Sequence, residues 1–219
     1  MRLTLLSLLA FGVALGAQEA ARTPDALAAA VQARLDRLAD FQADFVQSYE
    51  GGVLRTRTTE RGTVSLKRPG KMRWVYTAPE RKEFVADGTR IYAYIPADRQ
   101  VIISPMPDDD QTTPALLLSG RGHLTRDFVP AFTDLPATAR GLTGLRLTPK
   151  GADPDYTSMT LGLEPGSLQV RFLEAEDRQG GRSTFTFSNV QENRGLTDKT
   201  FEFRIPRGVD VVNHVAPPR

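Results

Sequence analysis

The chain has 219 residues and a formal charge of +2, with 40% apolar and 25% charged residues. Such a length can bury a real core, and this balance excludes a disordered chain and a bundle of membrane-spanning helices. The small net charge, without a dominant Lys/Arg cluster, argues against nucleic acid as a partner. The absence of cysteine excludes disulfides, thiol chemistry and cysteine-based metal sites.

The first residues have the pattern of a secretory signal peptide. Arg2 precedes an apolar run at 3–15, which is shorter than the roughly 20 residues of a transmembrane helix. Small residues follow, so we predict a signal peptide at 1–17 and one domain at 18–219. A lipoprotein signal would need a cysteine directly after the small residues, where Ala17 stands. The sequence therefore predicts a periplasmic protein that is exported but not lipidated.

A helix is predicted directly after a short polar link. Thr23 suits the N-cap, Pro24 the first helical position and Asp25 the positive end of the helix. The apolar residues then recur at helical spacing, at Leu27, Val31, Leu35 and Leu38.

Short strands are predicted from Phe41 onward, where the apolar period changes to two. Runs rich in Val, Thr, Tyr, Ile and Phe continue to Ser104, separated by turn signals such as Pro69-Gly70 and Asp87-Gly88. Such tight turns leave no room for crossover helices, so neighbouring strands should be antiparallel.

The middle of the chain offers two short helix-like pieces, Pro114–Leu118 and His123–Phe128. Strand signals then resume at Leu142–Thr148, Tyr156–Leu163, Leu168–Ala175, Arg182–Val190 and Thr200–Ile205. A sheet of about a dozen antiparallel strands tends to curl, and the first helix and the "PALLL" piece are the obvious apolar covers for its concave face. The fold class is therefore α+β, with one large curved antiparallel sheet.

No catalytic or metal-binding motif emerges from the residues. His123 and His214 are far apart, and the carboxylates of "MPDDDQTT" lack the spacing of a calcium loop. Neither a phosphate-binding loop nor a G-x-S-x-G elbow is present. Sequence spacing leaves open a pair of carboxylates brought together by folding. We predict no cofactor, no metal and no enzymatic activity.

The stretch "SLKRPGKMRWVY" carries the most specific signal. Met72, Trp74 and Tyr76 share one face of a strand, and Arg68 lies just before the turn. By itself this stretch fits either a row of aromatics that fills an ordinary core or a surface that binds something apolar. Arg68, likewise, is either a solvated arginine beside a turn or a residue with a structural role.

The chain resembles the LolA family of periplasmic lipoprotein carriers. The resemblance rests on "SLKRPGKMRWVY" followed by "VADGTRIYAYIP", with "FQADFVQ" after the first helix, "TPALLLSG" in the middle and "FEFRIPRGVDVV" near the end. It implies an incomplete β-barrel closed by a lid of short helices over a hydrophobic cavity. It also implies a cavity lined by Phe45, Met72, Trp74, Tyr76, Leu116 and Leu117, with Arg68 as a latch that holds the lid closed when the cavity is empty.

The partners follow from the same resemblance. The cargo would be the acyl chains of lipoproteins, released by an inner-membrane ABC transporter and handed to an outer-membrane receptor lipoprotein, with the carrier acting as a monomer. The alternatives are another periplasmic lipid-binding protein or an envelope-stress sensor of the same fold. A periplasmic hydrolase is a third alternative, and its mark would be a catalytic pair converging in the cavity.

Overall fold

The computed structural model describes residues 23–51, 56–107, 117–151 and 156–214. Its helices are α1 (Pro24–Asp36) and α2 (Leu124–Asp127), with short 3-10 helices at Ala137–Ala139 and Asp198–Phe201. The strands are β1 (Asp40–Glu50), β2 (Arg57–Lys67), β3 (Lys71–Ala78), β4 (Lys82–Asp87), β5 (Arg90–Ile95), β6 (Gln100–Pro105), β7 (Phe128–Phe132), β8 (Thr143–Pro149), β9 (Tyr156–Leu163), β10 (Val170–Asp177), β11 (Arg182–Glu192) and β12 (Asp210–Asn213).

All twelve strands of the described residues form one sheet, in the order β12-β6-β5-β4-β3-β2-β1-β11-β10-β9-β8-β7. Neighbours pair antiparallel except β12, which pairs parallel to β6. β7 and β12 are the two edges, so the sheet is open, as an incomplete barrel requires. The predicted α+β class with one large antiparallel sheet is confirmed.

Helix α1 forms where its capping residues predict it. The Thr23 hydroxyl accepts a hydrogen bond from the Ala26 backbone N–H at 3.2 Å, and Pro24 occupies the first turn. Its apolar face is buried at Leu27, Ala28, Val31 and Leu35. The helix packs against α2 and against strands β7 and β8, so it covers one half of the sheet.

Two predicted elements differ in the structure. Thr200–Ile205 is not a strand: a 3-10 helix ends at Phe201 and the chain continues without pairing. Arg73 donates to the carbonyl oxygens of Thr200 and Glu202, at 2.9 and 3.4 Å, and so supplies bonds that a strand partner would give. Of the predicted helical piece Pro114–Leu118, Leu117 and Leu118 are helical and the remainder lies outside the described residues.

The core lies on the concave face, between the sheet and its covers. It joins α1, the 117–118 segment and α2 to the inward residues of both halves of the sheet. The inward residues of the central strands are buried and include Phe41, Ala43, Phe45, Val64, Leu66, Met72, Trp74, Tyr76 and Phe187.

Candidate functional site

An aromatic cluster occupies the centre of the concave face. The Phe45 ring lies 5.1 Å from that of Trp74 and 4.9 Å from that of Tyr76, centroid to centroid, in edge-to-face geometry. Phe185 of β11 also belongs to the cluster, and the centroid of its ring lies 5.1 Å from that of Trp74. The period of two places these side chains on one face because β1, β3 and β11 share a curved sheet. Sequence reasoning identified Phe45, Trp74 and Tyr76 but missed Phe185.

Trp74 brings a polar atom into this cluster. Its side chain is 4% exposed, and its indole Nε1 has no hydrogen-bond partner among the described residues. An unpaired buried donor costs about 1–3 kcal/mol relative to a satisfied one. A phenylalanine at this position would offer similar ring contacts without that cost.

The row of inward side chains ends in a polar layer at Tyr76, two residues beyond Trp74 on β3. The Tyr76 hydroxyl donates to Gln47 Oε1 at 2.6 Å, and Gln47 Nε2 donates to Ser183 Oγ at 2.9 Å. Lys82 pairs with Glu60 at 2.7 Å, and its ammonium lies 4.4 Å from the centre of the Tyr76 ring. Burial, with the nearby Glu60 charge, raises the pKa of Tyr76, so it remains a neutral hydroxyl donor at physiological pH.

The cover, which consists of α1, α2 and the 117–120 segment, fills the part of the concave face beside the aromatic cluster. A void of about 10 Å³ remains between α1, the sheet and Leu118, which is about the room of one water molecule. It is lined by Leu35, Leu38, Phe41, Leu66, Leu118 and Val170, with Arg34 and Glu192 at its side. At this place the protein's own side chains occupy the concave face, and a larger occupant requires the cover to move.

Individual hydrogen bonds connect the described parts of the cover to each other and to the sheet. Gln32 of α1, 6% exposed, accepts a hydrogen bond from the Leu124 backbone N–H at 2.8 Å and ties α2 to α1. The Gly70 N–H donates to the Ser119 carbonyl at 2.9 Å and ties the 117–120 segment to the β2–β3 turn. Each of these is a single hydrogen bond, unlike the continuous ladder of the sheet.

Arg68 lies between these pieces. Its guanidinium donates to the Leu35 carbonyl near the end of α1, and it lies 3.6 Å from Asp36 Oδ1. It also packs against Gly120, whose φ of +94° and lack of a Cβ leave room for the guanidinium. Burial lowers the pKa of Arg68 and the Asp36 charge opposes this, so the arginine keeps its charge.

The structure therefore brings Arg68 to both covering pieces. Its hydrogen bond goes to α1, and its contact with the 117–120 segment is made through Gly120. Leu117, 2% exposed, belongs to the same core as Phe45, Met72, Trp74 and Tyr76. Leu116 lies outside the described residues.

Other kinds of site have no support within the described ranges. No group of three or more His, Asp or Glu side chains there could hold a metal ion. His123 caps α2 by accepting from the Arg126 N–H at 3.4 Å. No helix in the described part of the chain has the length and apolarity needed to span a membrane.

An open curved sheet with an apolar concave face under a helical cover is the architecture of a protein that binds an apolar ligand. The family model for "Outer membrane lipoprotein carrier protein LolA" matches residues 36–204. The chain therefore belongs to the LolA family, a family of carriers rather than enzymes.

Individual relatives agree with this assignment. The chain is similar to the outer-membrane lipoprotein carrier protein of Chromohalobacter salexigens, with 33% identity over 205 residues, covering 93% of this chain and 95% of the relative. The carrier protein of Bordetella avium is also 33% identical, over 212 residues and 96% of both chains. The crystal structure of an uncharacterized conserved protein from Thermus thermophilus shares the fold, with a TM-score of 0.53 and 15% identity over 85% of this chain and 99% of the other.

Proposed function

We infer that this protein is a periplasmic carrier of lipoproteins, which shelters their acyl chains in its concave face. The observation that carries the inference is the continuous apolar surface formed by the aromatic cluster and the covering helix, in a chain of the LolA family. Phe45, Met72, Trp74, Tyr76 and Leu117 would line the site, together with Leu116.

Hydrophobic transfer explains why a carrier is needed. Burial of an acyl chain is worth roughly 0.8 kcal/mol per methylene, so one chain of about 14 methylenes represents about 11 kcal/mol. A lipoprotein with more than one chain would not cross water unaided. The carrier needs an affinity between those of its donor and its acceptor, so that transfer runs in one direction.

The closed cover supplies a means of setting that affinity. Opening it exposes apolar surface and breaks the contacts of Arg68 with Leu35 and Asp36, and this cost is subtracted from the gain of binding. We propose that Arg68 is the latch of the closed, empty form. An inner-membrane ABC transporter would supply the energy of loading, and an outer-membrane receptor lipoprotein would bind the acyl chains more strongly.

We propose that the carrier acts as a monomer and that residues 1–17 are removed on export. Both sheet edges are short, and β7 contains Pro130, which has no N–H to offer another strand. Light scattering of the purified protein and sequencing of its N-terminus test these two points.

Purification from a periplasmic fraction tests the function itself. Mass spectrometry of the intact complex should detect bound triacylated or diacylated lipoproteins. Recovery of free lipids alone would favour another lipid-binding role of the same fold, and a mature protein found in the membrane pellet would contradict export as a soluble carrier.

A further inference from the structure

Within the described residues, the indole N–H of Trp74 is a donor without an acceptor, and the rings of Phe45, Phe185 and Phe187 surround the indole. The other donors in the neighbouring layer are used: Tyr76 donates to Gln47, Gln47 to Ser183, and Lys82 to Glu60. The Trp74 Nε1 stands apart from them among the described residues of this face.

The ligand of the proposed function carries the complementary group. An acyl chain is apolar except at its ester or amide carbonyl, and this oxygen accepts hydrogen bonds but cannot donate them. When such a carbonyl leaves water it needs a donor within the site, since a buried polar group without a partner weakens binding. A site lined only by hydrocarbon would bind the acyl chain but would leave the carbonyl oxygen unpaired, which lowers the affinity.

We propose that Trp74 Nε1–H donates a hydrogen bond to an acyl carbonyl of the bound lipid. The proposal rests on the carrier function above and adds a polar contact that distinguishes acylated ligands from plain hydrocarbon chains. The bond forms only when cargo enters, so the donor is unsatisfied in the empty form and satisfied in the loaded one. This difference favours the loaded state without adding apolar area.

The position of Trp74 along β3 also gives the ligand a direction. The polar layer of Gln47, Tyr76 and Ser183 follows directly after it, whereas Met72 precedes it and faces Leu66 across the strand pair. With its carbonyl at Trp74, a lipid would place its glyceryl group against the polar layer. Its chain would then extend over the apolar part of the face, towards Met72.

A pair of synthetic ligands tests the proposal. One is a cysteinyl peptide carrying a glyceryl group with two palmitoyl esters, and the other is its dialkyl ether analogue, which has equal chain lengths and no ester carbonyl. Calorimetry should show that the wild-type protein binds the ester about 2- to 10-fold more tightly, the effect of one net hydrogen bond. In Trp74→Phe this ratio should fall to about one.

Phe45→Leu is the matched control, because it removes apolar contact in the same cluster and leaves the indole in place. It should weaken both ligands and keep their ratio. An unchanged ratio in a folded Trp74→Phe protein would overturn the proposal. If the wild-type protein bound both ligands equally, the carrier function would stand and the proposed hydrogen bond from Trp74 would be wrong. If it bound neither ligand, the carrier function would be wrong, and the proposed hydrogen bond with it.

Spectroscopy of the wild-type protein gives a test that needs no variant. Trp74 is the single tryptophan of the chain, so its N–H vibration in a Raman spectrum reports this donor alone. The band should shift to its hydrogen-bonded position when the ester ligand binds and remain at its free position with the ether. An N–H band that is already hydrogen-bonded in the empty protein, or is unmoved by the ester, would contradict the proposal.

Discussion

Substitution of Met72 tests whether lipid binds to the concave face of β3. It is 7% exposed and lies in the core beneath the cover, whereas Thr77 on the same strand is exposed. Met72→Glu would place a carboxylate without a cation among apolar groups, which costs about 3–5 kcal/mol. We expect loss of lipopeptide binding measured by calorimetry, and a lower midpoint of urea unfolding.

Two variants keep the Met72 prediction decisive. Met72→Gln adds a neutral polar group and should weaken binding about 5- to 10-fold, even if the glutamate variant unfolds. Thr77→Glu, which adds the same charge to an exposed position, should bind as the wild type does. A folded Met72→Glu protein with normal affinity would show that the acyl chain lies elsewhere.

The proposed latch depends on one guanidinium, that of Arg68. Arg68→Leu keeps an apolar stem and removes the hydrogen bond to Leu35 and the ion pair with Asp36. At about 1–2 kcal/mol for a partly buried charged contact, the closed form loses about 10-fold in weight. We expect normal or tighter loading and about 10-fold slower release to the acceptor, scored separately in a transfer assay.

The controls for Arg68 lie next to it in the chain. Arg68→Lys should restore release only in part, since an ammonium lacks the planar fork of donors. Lys67→Leu removes a neighbouring cation that pairs with Asp198, away from the cover, and should leave release unchanged. Normal release by Arg68→Leu would reduce Arg68 to an arginine beside a turn.

The C-terminal segment 198–207 is held by side chains rather than by a strand ladder. Arg73 donates to Thr200 and Glu202 and pairs with Glu83 at 2.6 Å, and Phe203 stacks on Tyr92. Arg73→Ala should loosen this segment, lower the free energy of unfolding by about 1–2 kcal/mol and speed tryptic cleavage after Lys199. Arg57→Ala is the control, since it removes an exposed ion pair with Glu50 and should change neither.

The 198–207 segment also shows which elements of the fold could not be predicted from the sequence. Helix α1 and the strands from β1 to β6 were predictable because capping residues, period-two alternation and tight turns are local signals. The alternation Phe201, Phe203, Ile205 imitates a strand, yet the partner of this segment is a set of side chains on the outer face. Strand β12 was missed for a related reason: its parallel pairing to β6 joins positions about 110 residues apart, which no local pattern encodes.

The candidate site, too, was predictable only where local sequence signals or the family resemblance pointed to it. The face shared by Met72, Trp74 and Tyr76 follows from the period of two, and the resemblance to carriers pointed to Arg68 from the sequence alone. Phe185 and the Gln47–Ser183 bond were not predictable, because they depend on β11 returning beside β1 after more than a hundred residues. That the Trp74 N–H has no partner among the described residues follows only from the three-dimensional placement of its neighbours.

The whole molecule combines one open sheet with a cover that shares its core, so an acyl chain that enters between the two has to separate them. The void of about 10 Å³ leaves no room for an acyl chain beside Leu35 and Leu118 in the closed form. The sheet is held by ladders of mutually supporting backbone hydrogen bonds, whereas the described part of the cover is held by individual contacts, such as those of Arg34 with Glu192 and of Gly70 with Ser119. Opening of the cover is thus the less costly change.

One backbone amide reports this opening directly. The Gly70 N–H donates to the Ser119 carbonyl across the boundary between the β2–β3 turn and the cover, while the neighbouring Arg68 N–H donates to Ala39 on the sheet side. We expect hydrogen exchange of the Gly70 amide to accelerate at least about 10-fold when a diacylated lipopeptide is bound. Arg68 and Val64, which lies within the β2 ladder, should exchange as slowly as in the empty protein. Equal protection of Gly70 in both states would mean that the acyl chain enters without displacing the 117–120 segment, and acceleration at all three amides would mean that loading opens the sheet itself.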